Sequence, residues 1–174
     1  QTVWFSSRDG TQVRMHLVHR RGLKRNGRNP TLLRAYGGFG VSLTPKFRAD
    51  VMPLLEQGGV YAEANVRGGG EFGQSWHRAG SRENKQNSFD DLIAAGEFLV
   101  DEGYTSKEHL GCLGWSNGGL LTTVAGLQRP DLWRAVVRSD TNLNKRFTAE
   151  GIDTRQYGSM PGVLDTNTKV EGKR

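Results

Sequence analysis

Short apolar segments alternate with helical segments along most of this chain, and this alternation restricts the possible folds more than any other feature. Four buried strands are predicted, at Thr31–Tyr36, Gly59–Val66, Leu110–Gly114 and Ala135–Arg138. Three helices are predicted between and after them, over Phe47–Gln57, from a Ser88 cap to Gly103, and over Gly118–Arg129. Such spacing is typical of βαβ units, so we expect an α/β fold with a mostly parallel sheet and helices on both faces.

Two alternating segments precede this pattern. Thr2–Ser6 and Gln12–His19 flank an Asp9-Gly10 turn, which predicts a β-hairpin. A hairpin of this kind commonly forms the antiparallel edge of a parallel sheet. At the other end, residues 159–174 are polar and without periodicity, which is typical of a loop or disordered tail.

Composition excludes several classes of protein. With 174 residues and 35% hydrophobic content, the chain fits one globular domain, and no apolar segment is long enough to cross a bilayer. Residues 1–50 carry eight Arg and two Lys against two Asp, but no nucleic-acid motif accompanies this charge. We therefore expect a solvated face, no nucleic-acid partner and no membrane contact. The lone Cys112 lies in an apolar segment and is expected to be a buried, unreactive thiol.

The residues 114–118 match the pattern G-x-S-x-G, between a predicted strand and a predicted helix. In that context the serine sits on a strained turn that exposes its hydroxyl, and the small flanking residues permit the close approach of strand and helix. The pattern predicts Ser116 as a nucleophile and the backbone N–H of Asn117 as an oxyanion donor, within an α/β-hydrolase fold. The alternative is a tight turn in which Ser116 only caps the helix.

A serine nucleophile needs a base, and in this fold the partners follow the serine in the order Asp or Glu, then His. All four histidines precede Ser116, and the 58 residues after it contain none. A triad is defined by geometry rather than order, so an upstream histidine is the alternative, with His77 the best placed. We expect the chain on its own to be inactive and C-terminally truncated, with the triad Asp and His not in it.

Several further motifs occur in order along the chain: Tyr36-Gly-Gly-Phe39-Gly, Gly58-Gly-Val-Tyr-Ala, Ala64-Asn-Val-Arg-Gly-Gly-Gly-Glu-Phe-Gly73, Trp76-His77, Lys85-Gln-Asn87, Phe89-Asp-Asp91, Gly103-Tyr-Thr105, Gly114-x-Ser-Asn-Gly-Gly119 and Gln128-Arg-Pro-Asp-Leu132. Together they resemble the prolyl oligopeptidase family of serine peptidases, over roughly residues 3–137. The forms Ser-Asn-Gly-Gly and Lys-Gln-Asn resemble prolyl oligopeptidase more than the oligopeptidase B branch.

The resemblance implies roles for individual residues. Tyr36 matches the tyrosine whose hydroxyl completes the oxyanion hole, and Phe39 matches an aromatic residue of the substrate pocket. From the residues alone, both are equally compatible with a place in the core. Arg67 resembles a residue of a structural loop, and Asp90 and Asp91 resemble cap and salt-bridge residues.

The chain departs from the family pattern after Val137. Asp153 stands where the family has a tryptophan that stacks on the substrate proline, which leaves proline specificity open. The resemblance implies a partial peptidase domain over residues 3–158 and a β-propeller elsewhere in a full-length parent.

The resulting prediction is a peptidase that hydrolyses short peptides, preferably after proline, through an acyl-enzyme on Ser116. The alternatives are an esterase or other acyl hydrolase of the same fold, and a non-catalytic truncated or decayed fragment. No cofactor or metal is implied, because side chains and water suffice for this chemistry. No targeting signal is visible, and the compartment stays open between cytoplasm and periplasm.

Overall fold

A computed structural model of the chain describes residues 1–139 and, for the backbone alone, residues 163–165. Seven strands form a single sheet, in the spatial order β1-β2-β4-β3-β5-β6-β7. The strands are β1 (Thr2–Ser6), β2 (Gln12–Val18), β3 (Thr31–Arg34), β4 (Val60–Ala64), β5 (Leu110–Trp115), β6 (Ala135–Ser139) and β7 (Val163–Asp165).

The first two strands form the predicted hairpin. The Ser7 N–H donates to the Thr11 carbonyl at 2.8 Å, and Gly10 takes the positive φ of 83° that the turn requires. The β2 strand then pairs antiparallel with β4. The remaining neighbours in the sheet, β4 with β3, β3 with β5, β5 with β6 and β6 with β7, pair parallel. The mixed α/β-hydrolase sheet with an antiparallel N-terminal hairpin is therefore confirmed.

Within residues 1–139, four α-helices accompany the sheet: α1 (Met52–Glu56), α2 (Gln74–Arg78), α3 (Lys85–Asp101) and α4 (Asn117–Gln128). Helices α3 and α4 pack on the face that carries Met15, Leu33 and Cys112. Burial raises the pKa of the Cys112 thiol, so the prediction of a buried, unreactive cysteine is confirmed. Helix α1 lies on the opposite face, where the segment around it covers Tyr61 and Glu63.

The predicted start of the long helix is wrong. Helix α3 begins at Lys85, so Ser88 lies in its first turn rather than at its cap. The Ser88 side chain is buried, and its hydroxyl donates to the carbonyls of Arg67 (2.7 Å) and Gly80 (3.0 Å). Ser88 thus anchors two loops to the helix, a contact between distant segments that a local capping signal does not reveal.

The sequence predicts a helix over Phe47–Gln57 that Pro53 kinks or restarts. In the structure a 3₁₀ turn (Ala49–Val51) leads into the short α1, and Pro53 lies in the first turn of α1, where a missing N–H costs no hydrogen bond. Helix α2 was not predicted. Within the expected polar tail, Val163–Asp165 form a strand rather than a loop. Asp153 and the rest of that tail lie outside the described residues, and the domain boundary stays a prediction.

Within residues 1–139, none of the helices is long and apolar enough to span a membrane.

Candidate active site

Ser116 occupies the turn that joins β5 to α4. Its backbone has φ 55° and ψ −122°, a conformation that side-chain-bearing residues rarely adopt. The N–H of Ser116 donates to the Ser139 carbonyl at 3.1 Å, and its own carbonyl accepts from Gly119 (2.8 Å) and Leu120 (3.2 Å). These hydrogen bonds from β6 and α4 maintain the strained turn. Its geometry is that of the nucleophile elbow that the sequence predicted.

The Ser116 hydroxyl does not act as a helix cap. Although Ser116 is the N-cap residue of α4, its side chain makes no capping hydrogen bond. A serine whose function is capping would place its oxygen on the N–H of the second or third helical residue. The structure therefore argues against the capping alternative.

The glycines on either side of Ser116 are required by close backbone contacts. A Cβ atom on Gly114 would lie 1.9 Å from the Gly118 carbonyl oxygen, and one on Gly118 would lie 2.7 Å from the Ala35 carbonyl oxygen. Both separations are far below van der Waals contact. The spacing G-x-S-x-G thus has a steric cause here, since strand β5, helix α4 and the end of β3 converge at the elbow.

Asn117 connects the elbow to the segment that follows β3. Because it is the first residue of α4, its backbone N–H is among those that no intrahelical carbonyl can satisfy. Its side-chain Nδ2 donates to the Tyr36 carbonyl at 2.7 Å. Tyr36 is half-buried and comes two residues after the end of β3. The structure thus brings Tyr36 against the residue that follows the candidate nucleophile.

Phe39 lies on the wall of a cleft beside the elbow. The side chain is 61% exposed, so the alternative of a core residue does not apply to it. The cleft has a volume of about 710 Å³, and it is lined by Gly38, Phe39, His77, Gly80, Ser81, Arg82, Glu83, Lys85, Asn117 and Leu120. It mixes an apolar wall with cationic and amide groups, as small-molecule and peptide sites commonly do.

Backbone strain is concentrated around this cleft. Within residues 1–139, the non-glycine residues with positive φ are Phe39 (54°), Arg82 (52°) and Ser116 (55°). Two of them line the cleft, and the third precedes Asn117, which also lines it. Strained residues of this kind cluster at functional sites, because the surrounding structure must hold them in place.

Of the four histidines, His77 is the one that lines the cleft. One of its ring nitrogens, Nδ1, lies 2.8 Å from the Gly68 carbonyl, which fixes Nδ1 as the donor and leaves Nε2 as the acceptor. No hydrogen bond joins Ser116 to a histidine within residues 1–139, which include all four. Within this described range, the structure therefore shows the candidate nucleophile without a histidine bonded to it.

Lys85 has no predicted role beyond its place in the motif Lys85-Gln-Asn87. Its Nζ donates to the Gly37 carbonyl, and Nζ also lies 3.3 Å from the Ser88 hydroxyl. At the other end of the segment that follows β3, the Gly40 N–H donates to the Gly68 carbonyl at 3.1 Å. A lysine at a helix start gives no local signal for such contacts, because they join segments far apart in sequence.

The loop after β4 is fixed by a buried ion pair. Arg67 donates to both carboxylate oxygens of Asp91 in α3, and its Nη1 donates to Asp9 in the hairpin turn. The salt bridge that the resemblance implied is therefore present at Asp91. The cap role is not, since α3 begins at Lys85, which places Asp90 and Asp91 past its first turn.

Comparison with known proteins agrees with this geometry. Residues 45–168 match the model of the prolyl oligopeptidase family. A prolyl endopeptidase of Elizabethkingia meningoseptica is 49% identical over 132 residues, which cover 76% of this chain and 19% of that protein. Prolyl oligopeptidase A of Galerina marginata is 43% identical over 163 residues, or 90% of this chain and 22% of that protein.

Solved structures give the same result. A structure from a study of two prolyl endopeptidases has a TM-score of 0.78 and 53% identity, and the match covers 79% of this chain and 20% of that one. Oligopeptidase B of Leishmania major has a TM-score of 0.76 at 34% identity, over 79% of this chain and 19% of that one. The chain spans about a fifth of the length of the curated relatives it matches. With its elbow serine, its ordered motifs and its family match, the chain belongs to the prolyl oligopeptidase family.

Proposed function

We propose that this chain provides the nucleophile and the oxyanion donors of a serine peptidase that hydrolyses short peptides, preferably after proline. The observation that carries the proposal is the strained Ser116, whose side chain makes no capping hydrogen bond although it stands at the start of α4. Strain costs stability, so its presence at a residue whose hydroxyl does not cap the helix favours catalysis over a structural role. The relatives named prolyl endopeptidase supply the substrate class.

In this mechanism, Ser116 Oγ attacks the carbonyl carbon of the scissile peptide bond and forms an acyl-enzyme. The negative charge that develops on the carbonyl oxygen is stabilised by the N–H of Asn117 and the hydroxyl of Tyr36. One such donor is worth about 3–4 kcal/mol of transition-state stabilisation. Phe39 provides an apolar surface for the substrate side chain at the rim of the cleft.

The serine proton must pass to a base, and the amine product must receive a proton from the same group. We assign this role to a histidine outside the present sequence, oriented by an acid, because the 58 residues after Ser116 contain no histidine. Peptide is the proposed substrate and partner. The proposed β-propeller likewise lies outside this sequence.

The test is labelling with a fluorophosphonate probe, which reacts with activated serines. Three proteins are compared: this chain, its Ser116→Ala variant, and a chimera that continues after residue 139 with the matching region of the Elizabethkingia meningoseptica relative. We expect labelling of the chimera alone, and its loss when Ser116→Ala is introduced there.

Three outcomes would contradict the proposal in different ways. A well-folded chimera that stays unlabelled favours a non-catalytic protein. Labelling of the 174-residue chain at Ser116 would instead assign the base to an upstream histidine, and His77→Ala would then abolish it. A chimera that hydrolyses esters but no proline-containing peptides would favour the acyl hydrolase.

A further inference from the structure

We infer that the side chains of Asn117 and Lys85 are positioning residues, which hold the segment Tyr36–Gly40 in register with the nucleophile elbow. This inference rests on the proposed function, since the segment carries the proposed hydroxyl donor. It goes beyond the assignment of the donors, because neither side chain is itself one of them. Both side chains bind carbonyl groups of the segment, and they approach it from different helices.

Asn117 connects the two proposed oxyanion donors. Its own backbone N–H is one of them, and its side chain binds Tyr36, which carries the other. Its backbone is fixed as the first residue of α4, and its Nδ2 donates at 2.7 Å to the Tyr36 carbonyl, 81 residues away in sequence. The residue is only 7% exposed, so water competes little for this hydrogen bond. A movement of the Tyr36 backbone relative to the Asn117 N–H must therefore break or stretch this hydrogen bond.

Gly38 shows how closely this carboxamide approaches the segment. A Cβ atom at Gly38 would lie 2.3 Å from Asn117 Nδ2. A side chain at residue 38 would therefore displace the Asn117 carboxamide. The Asn117 carboxamide therefore packs directly against the backbone of the segment Tyr36–Gly40.

Lys85 fixes the next peptide. Its ammonium donates to the Gly37 carbonyl, and a hydrogen bond with a charged donor is roughly twice as strong as a neutral one. The Ser88 hydroxyl, which lies 3.3 Å from Lys85 Nζ, is buried and bound to two further carbonyls. The ammonium is therefore placed by the rigid start of α3.

At the far end of the segment, the Gly40 N–H donates to the Gly68 carbonyl. With Tyr36, Gly37 and Gly40 all bound, the segment is fixed along its length. Preorganised donors stabilise a transition state because they do not have to reorient during the reaction. Loss of either side chain should then reduce kcat, whereas KM should change little, since the contact matters most for the charge that develops in the transition state.

The experiment measures the kinetics of the full native protein that contains these residues. The variants are Asn117→Ala, the near-isosteric Asn117→Asp, which cannot donate to a carbonyl, Lys85→Met and Lys85→Arg. The matched control is Gln86→Ala, since Gln86 neighbours Lys85 but bonds to Asp90 and Gln128. We expect Asn117→Ala, Asn117→Asp and Lys85→Met to lower kcat about 10- to 100-fold.

We further expect KM to stay within about twofold of wild type in these variants, Lys85→Arg to retain most of kcat, and the control to match wild type. Unchanged kcat in Asn117→Ala and Lys85→Met would overturn the inference. So would an equal loss in Lys85→Arg that is accompanied by a lower melting temperature, because that result indicates a structural role alone.

Hydrogen exchange of the amides of residues 37–40 gives a readout that does not depend on activity. We expect faster exchange there in Asn117→Ala and Lys85→Met than in wild type and in Gln86→Ala. If wild type neither hydrolyses peptides nor reacts with the probe, the proposed function fails, and exchange decides the inference alone. Unchanged exchange in both variants would overturn it.

Discussion

Arg67 and Asp91 form a buried ion pair that joins the loop after β4 to helix α3. The Nη2 of Arg67 donates to Asp91 Oδ1 at 2.6 Å, and the Arg67 backbone N–H donates to Oδ2 at 2.8 Å. The two side chains are 5% and 0% exposed. The same loop supplies the Gly68 carbonyl that accepts from the Gly40 N–H. The ion pair therefore helps to hold the segment that carries Tyr36 and Phe39.

Removal of one partner of this pair should be costly. We expect Asp91→Ala to lower the free energy of unfolding by about 3–5 kcal/mol, because it leaves the Arg67 charge buried with only part of its partners. Urea denaturation measures this difference. The matched control is Asp90→Ala, since Asp90 bonds to the exposed Gln86 and should cost less than about 0.5 kcal/mol. Similar losses in the two variants would contradict a special role for Asp91.

The steric requirement at Gly114 can be tested within one strand. We expect Gly114→Ala to destabilise the protein by about 3 kcal/mol, because the new Cβ would overlap the Gly118 carbonyl and force backbone shifts. Gly111→Ala is the control, since the nearest atom to its Cβ would be 3.7 Å away. Thermal unfolding of both variants gives the comparison. Equal melting temperatures would show that the elbow tolerates a side chain at residue 114.

The positive φ of Ser116 should cost the protein stability, and a glycine at this position should relieve that cost. Glycine adopts positive φ without steric cost, whereas alanine does not. We therefore expect Ser116→Gly to be more stable than Ser116→Ala by about 1 kcal/mol, with activity absent in both. Denaturant unfolding of the two variants checks the difference. An Ser116→Ala variant as stable as Ser116→Gly would mean that the turn stores no strain.

Asp9 should contribute stability that acid removes. Its hydrogen bonds with Arg67 lower the pKa of the carboxyl from 3.8 to about 2. A lowered pKa in the folded state stabilises the protein above the unfolded value, and that contribution disappears as pH falls through the folded value. The Asp9 side chain is 46% exposed, so solvent screening keeps the effect modest.

We expect wild type to be more stable than Asp9→Asn at neutral pH, and the two to converge as pH falls from 3.8 to about 2. Melting temperatures measured across this range give the test. Parallel curves for the two proteins would indicate that the Asp9 pKa is not shifted by folding.

Glu71 should behave in the opposite way. Burial raises the pKa of its carboxyl above 4.5, and within the described residues its buried Oε2 has no hydrogen-bond partner. Its Oε1 accepts from the Leu43 N–H at 2.9 Å and from Asn65 at 3.2 Å. A raised pKa means that the folded state favours the protonated form, so the charged form costs stability above the folded pKa.

We therefore expect Glu71→Gln to raise the free energy of unfolding by about 1 kcal/mol at pH 7, because glutamine keeps the acceptor and removes the buried charge. This gain should shrink as pH falls through the raised pKa of the folded state and vanish below the ordinary value of 4.5. Thermal unfolding at several pH values measures it. A variant that is less stable than wild type at pH 7 would show that the carboxylate is paired or solvated.

The sequence alone determined six of the strands, helix α4 and the elbow. Strand and helix periods are local properties, which is why β1 to β6 and α4 were predicted close to their observed bounds. The conformation of Ser116 was also predictable, since the glycines that permit it lie within two residues of it. The roles of Tyr36 and Phe39 came from the ordered motifs rather than from any local signal, and those roles stay predictions.

Only the tertiary structure decided how these elements meet. The contacts from Asn117 to Tyr36 and from Lys85 to Gly37 span 81 and 48 residues, and they exist because β3 pairs with β5 in the centre of the sheet. The start of α3 was missed for the same reason, since Ser88 binds carbonyls of distant loops instead of capping its own helix. A polar side chain satisfies its hydrogen bonds with whatever group the fold brings near, and that group is set by strand order rather than by neighbouring residues.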